Sequence, residues 1–133
     1  MQQKSAITAV LLIAHGSRQQ AANEDLAEVA RMIRARNAYD IVEISYLELV
    51  APTIRQGARN CIIQGACRVL LLPYFLSAGI HVTQDLQQHC QELSDEFADA
   101  SFILCPPLGL HSSIVDVVLH RLREATDQNL DSP

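Results

Sequence analysis

Three of the five histidines and one glutamate stand just beyond short apolar runs, where a chain leaves a strand and turns. His15 follows the first such run and Glu48 the second; His81 follows the third and His111 the fourth. His15 and Glu48 are 33 residues apart, and so are Glu48 and His81. The equal spacing is the length of one structural unit and not a sequence repeat, because the side chains between do not match. Two imidazoles and one carboxylate make a site of borderline hardness, suited to cobalt, nickel, iron or zinc and poorly suited to magnesium or calcium. Three protein ligands leave coordination positions for water or a substrate, as a catalytic or transfer site requires and a structural site avoids. A lone polar residue at a strand end is more often a loop or cap residue. That plain reading suits His111 taken alone, and His89 and His120 inside helical segments, whereas for His15, Glu48 and His81 it needs three coincidences.

The elements that must position these residues are legible from hydrophobic period. Residues 9–14, 41–47, 69–76 and 101–104 are short aliphatic runs of the kind that form strands covered on both faces. Between them lie segments of helical period. Leu26, Val29, Ala30 and Ile33 mark the first, over residues 20–36. The second starts at Ala51-Pro52-Thr53, with proline in its first turn, and carries Ile54, Ala58, Cys61 and Ile62 towards Gly65. The third carries Val82, Leu86, Cys90, Leu93 and Phe97, and the last carries Ile114, Val117, Val118 and Leu122. Strand–helix units repeated four times predict an α/β domain: an open four-stranded parallel sheet, flanked by helices on both faces, in flavodoxin-like order. Residues 1–124 form this single domain, and residues 125–133 are expected to be a frayed polar tail. Right-handed crossovers bring all four strand–helix loops to one edge, where open sheets of this kind bind ligands. On those loops Ser17, Arg18, Ser77, Gly79 and His111 are the candidates for touching a substrate.

Composition narrows the function. With 15 acidic against 10 basic residues the formal net charge is −5, which excludes the basic footprint of a nucleic-acid binder. Nine of the ten basic residues are arginines, which suit fixed contacts with carboxylates or phosphates. The apolar run at 9–14 falls far short of the roughly 18 residues that span a bilayer. It ends in His15-Gly16-Ser17-Arg18 where a secretory signal would have a small-residue cleavage site, so it is read as a buried strand. Cys61, Cys67, Cys90 and Cys105 show no paired metal-site spacing; they are read as core residues of a protein of the reducing cytoplasm. Gly16 opens a turn towards a helix, but neither a dinucleotide fingerprint nor a P-loop pattern is present. Phosphoryl transfer through a phosphohistidine wants an arginine directly before the histidine, and Ala14 stands there.

Four segments together resemble the small class II tetrapyrrole chelatases of the CbiX/SirB type, the sirohydrochlorin chelatases. They are Leu11-Leu12-Ile13-Ala14-His15-Gly16-Ser17-Arg18; Tyr46-Leu47-Glu48-Leu49 with Pro52; Leu72 through Val82 with Asp85; and Pro107-Leu108-Gly109. Their order and spacing cover roughly residues 9–123. The resemblance implies insertion of a divalent metal, cobalt foremost and iron or nickel otherwise, into sirohydrochlorin in cobalamin or siroheme synthesis. It implies that His15 and His81 are the catalytic histidines, that Glu48 completes the metal site, and that the metal is a substrate with no permanently bound cofactor. Long relatives are two such lobes in one chain, so a chain of this length is expected to pair as a homodimer. A metal-binding or metal-delivery module with the same ligands and no macrocycle chemistry is the competing expectation.

Overall fold

The computed structural model describes residues 6–130. Four strands alternate with four helices: β1 (Thr8–Ala14), α1 (Gln20–Ala35), β2 (Ile41–Tyr46), α2 (Ile54–Ile63), β3 (Arg68–Pro73), α3 (Ile80–Glu96), β4 (Ser101–Leu104) and α4 (Ser112–Leu130). The strands form one parallel sheet in the order β2-β1-β3-β4, which is the expected α/β architecture. β1 pairs on both sides, and Ala9, Leu11, Leu12 and Ile13 are fully buried, which explains why its sequence is an unbroken aliphatic run.

The two faces of the sheet have separate cores. Leu11, Ile13, Val69 and Leu71 pack under Ala58 and Cys61 of α2 and Leu86 and Leu93 of α3. On the other face Val10, Leu12 and Val42 meet Leu26 and Ala30 of α1. Each buried leucine contributes about 1.5–3 kcal/mol, enough for a few such contacts to hold a helix on the sheet. Ser45 of β2, the one buried polar residue among the described residues, is satisfied by donating its hydroxyl to the Leu12 carbonyl at 3.1 Å.

Several element ends differ from the sequence reading. α2 begins at Ile54 because Thr53 caps it: the Thr53 hydroxyl accepts from the Gln56 N–H, and the Gln56 side chain accepts from the Thr53 N–H. Pro52 therefore precedes the cap instead of lying in the first turn. β3 stops at Pro73, short of Leu76, because proline supplies no ladder N–H and the chain then turns out of the sheet. α4 is helical through Leu130, so residues 125–130 of the expected tail belong to it, while 131–133 lie outside the described residues. α1 lies on one face and α2 and α3 on the other, but α4 packs closely on no strand or helix among the described residues. Cys61 is a core residue whose thiol burial pushes up to about 12, whereas Cys67 is exposed, contrary to the reading of all four cysteines as core. No described helix is long and apolar enough to cross a membrane.

Candidate functional site

Because every strand is parallel, the four β–α loops share the carboxyl edge of the sheet. His15 is the first residue after β1, and its carbonyl accepts from the Glu48 N–H at 3.1 Å while Ala14 accepts from Leu47 at 2.9 Å. The first two loops are thereby joined backbone to backbone. Gly16 makes this possible. Its φ is +94°, and a Cβ there would lie 2.0 Å from the Glu48 carbonyl oxygen, so any side chain would separate the loops. Ser17 fixes the far side of the turn: its N–H donates to Asn23 Oδ1 at 3.0 Å, and its carbonyl accepts from Asn23 Nδ2 at 2.8 Å. The Asn23 carbonyl in turn accepts the Tyr46 hydroxyl at 2.8 Å. A line of bonds thus runs from β2 through α1 to the turn that carries His15.

The His15 ring stacks on Phe75, with centroids 4.4 Å apart and planes at 27°. Phe75 and Leu76 accept backbone bonds from Leu108 and Gly109, at 3.0 and 2.8 Å, so the third and fourth loops are also joined. The four loops therefore form one connected platform. Glu48 lies exposed on it at the start of a tight turn in which Val50 donates to the Glu48 carbonyl and Leu49 holds φ +73°. This three-residue turn is strained for a branched side chain, and strain of this kind concentrates at functional sites. His81 is the second residue of α3 and is exposed, just after the Gly79 cap.

His15, Glu48 and His81 thus share one edge as the sequence predicts. They do not stand close enough to form a ready-made centre: among the described residues no three His, Cys, Asp or Glu side chains could hold a metal ion. Ser77 and His111 line a groove of ≈ 400 Å³ with Leu76, Leu110, Ile114 and Val118. His111 also accepts the Ser113 N–H on Nδ1 at 3.0 Å, the cap role of the plain reading. Arg18 is exposed and makes no ion pair among the described residues, while Arg55 is engaged by Glu96 at 2.7 Å. Three features escaped the sequence reading. Phe75 lies in a quoted motif but had no role, Asn23 looked like an ordinary first-turn residue, and the apolar rim was invisible. That rim is Leu49, Leu76, Ile80 and Leu110, exposed by 57%, 60%, 75% and 101% at the same edge as the histidines. Large apolar side chains gathered in this way mark a binding surface.

Residues 9–125 match the CbiX family model. The chain belongs to the CbiX family. Among its CbiX-type relatives, the chloroplastic sirohydrochlorin ferrochelatase of Arabidopsis thaliana is 34% identical over 86% of this chain and 51% of that protein. The sirohydrochlorin cobaltochelatase of Methanocaldococcus jannaschii is 32% identical over 85% of this chain and 96% of that protein. The solved sirohydrochlorin chelatase SirB from Bacillus subtilis subspecies spizizenii, in complex with cobalt, superposes with a TM-score of 0.82 at 28% identity, over 89% of this chain and 50% of that one. The CbiX-family chain thus spans about half the length of several relatives it matches and nearly all of others.

Proposed function

We propose that this chain inserts a divalent first-row metal into sirohydrochlorin, with His15, Glu48 and His81 as the metal-handling residues. The observation that carries the reading is the meeting, on one platform, of two exposed histidines and a carboxylate with a rim of exposed aliphatic side chains. A metal ion needs the first set, and the flat apolar face of a macrocycle needs the second. Metal insertion displaces two pyrrole N–H protons. One histidine takes up a proton beside the ring and releases it to solvent before taking the second, while the other, with Glu48, holds the incoming ion and leaves its remaining positions labile. Exposed side chains suit this work, since they can swing between solvent and macrocycle as the ion is passed on. Arg18 offers charge-assisted bonds to carboxylates at the substrate rim, and Ser17, Ser77, Gly79 and His111 lie along the same edge.

Cobalt is the favoured metal. Relatives that this chain covers almost completely, from Methanocaldococcus jannaschii and Methanococcus aeolicus, are named cobaltochelatases, whereas ferrochelatase names appear among those it half covers. The reaction is placed in the cytoplasm, where four scattered thiols suit a reducing setting, with the metal as substrate and no permanently bound cofactor. A second copy of the chain completes the enclosure around the macrocycle, as a homodimer. The test is anaerobic mixing of sirohydrochlorin, Co²⁺ and protein, followed in the visible spectrum, beside equilibrium dialysis of Co²⁺ alone. Insertion faster than in the protein-free control supports the proposal. Cobalt binding without acceleration assigns the chain to metal delivery instead.

A further inference from the structure

Histidines of this chain are held in different ways. His111 accepts the Ser113 N–H on Nδ1 at 3.0 Å, and His120 Nε2 lies 2.8 Å from the Glu124 carboxylate. His15 has no such bond on either ring nitrogen among the described residues; its ring is held on its face, stacked on Phe75 with centroids 4.4 Å apart and planes at 27°. A metal-binding imidazole is ordinarily oriented by donating its second ring N–H to a carboxylate or a carbonyl. In His15 the stack stands where that bond would be. The nitrogen lone pair and the N–H both lie in the plane of an imidazole, so a contact on the face blocks neither. Turning the ring about its Cβ–Cγ bond would drive its edge into Phe75, so the same contact fixes the plane.

Phe75 is itself anchored from three directions. Tyr74, just before it, donates its N–H at 2.7 Å to the carbonyl of Ile13, two residues ahead of His15. The Phe75 carbonyl accepts from the Leu108 N–H at 3.0 Å, and its half-buried side chain packs against the core beneath α2 and α3. A ring fixed in the core thus supports an imidazole that is exposed. We infer that Phe75 is the positioning residue of His15: it sets the plane of the imidazole by stacking and leaves both ring nitrogens for the metal and the macrocycle. The inference rests on the metal-handling role proposed above for His15 and names the residue that orients it. What the position requires is a flat face. Leucine fills much of the same space without offering one, whereas tyrosine keeps it. Phe75 also stands six residues before His81, so the stack ties the loop of one proposed metal-handling residue to the loop of another.

The test compares the wild type with Phe75→Leu, Phe75→Tyr and, as a control elsewhere in the same core, Phe97→Leu, with circular dichroism confirming the fold. Phe75→Met, which refills the space without a ring, replaces Phe75→Leu if that variant unfolds. In proton NMR the His15 ring resonances, identified by their loss in His15→Ala, should lie upfield in the wild type and in Phe75→Tyr and move back in Phe75→Leu. Equilibrium dialysis of Co²⁺ alone should show about two- to tenfold weaker binding for Phe75→Leu, recovery in Phe75→Tyr and no change in Phe97→Leu. Equal Co²⁺ affinity in the wild type and Phe75→Leu would overturn the inference, as would unshifted His15 resonances in the wild type. An equal loss in Phe97→Leu, or no recovery in Phe75→Tyr, would overturn it in favour of a general effect on the core. None of these results touches metal insertion, which is read separately in the visible spectrum. A Phe75-dependent Co²⁺ affinity beside insertion no faster than in the protein-free control would sustain the inference and overturn the chelatase reading.

Discussion

The two halves of the sheet are built from the same strand–helix unit and finished differently. Around β1 and β2 both faces are covered, and the loops are braced through Gly16, Ser17, Asn23 and Tyr46. Around β3 and β4 the described residues give close cover on one face, chiefly from α3, while the apolar stripe of α4 and Ile103 are about half exposed. The functional edge straddles the join, with His15 and Glu48 on the finished half and His81 and His111 on the open one. The difference teaches a division of labour. Of the three residues proposed to handle the metal, His15 and Glu48 sit where the loops are braced backbone to backbone, and His81 sits on the open half. The groove lined by Ser77, Leu110, His111 and Val118, along which the proposed substrate would lie, is on the open half.

Substitutions that sharpen this contrast fall in a clear order. Leu11→Ala, at a fully buried position in the finished half, should cost roughly 2–5 kcal/mol in denaturant unfolding, whereas Leu119→Ala on α4 should change the unfolding of dilute protein far less. Gly16→Ala comes next. It forces a side chain into positive φ and against the Glu48 carbonyl, so a loss on the order of 1–3 kcal/mol should accompany a marked fall in metal-insertion rate. Tyr46→Phe removes one bond of the bracing line, which is worth about 0.5–1.5 kcal/mol, and a thermal melt should show a small downward shift.

The smallest effect is expected at the surface pair of Arg55 and Glu96. The bond from the Arg55 guanidinium holds the Glu96 carboxyl below the usual carboxylate range. Its folded pKa is therefore below the unfolded one, so its contribution is present above the ordinary carboxylate range and is lost as pH falls through the folded value. Arg55→Ala should leave the neutral-pH melt almost unchanged and slightly flatten the acid side of the stability profile.

Much of this was readable from residue types alone. Aliphatic runs ending in polar loops located the four strands, and the alternation with helical period supplied the parallel order. That order then placed His15, Glu48 and His81 on one edge. The detachment of α4 was not readable, because the stripe of Ile114, Val117, Val118 and Leu122 has the same period whether it faces its own sheet or solvent. Cys67 was misread as core because apolar neighbours in sequence do not say on which side of a strand's entry a thiol falls. The stacking of His15 on Phe75 and the Ser17–Asn23 clamp are tertiary pairings between residues whose types allow many partners.

The central claim concerns the two histidines. It is tested most directly by the initial rate of Co²⁺ insertion into sirohydrochlorin for the wild type, His15→Ala and His81→Ala, each corrected for the protein-free rate. Removing a positioned proton carrier or metal ligand should lower the rate by about 10²–10⁴-fold in each variant, with the fold intact by circular dichroism. Wild-type rates in both variants would contradict the assignment of the reaction to this edge.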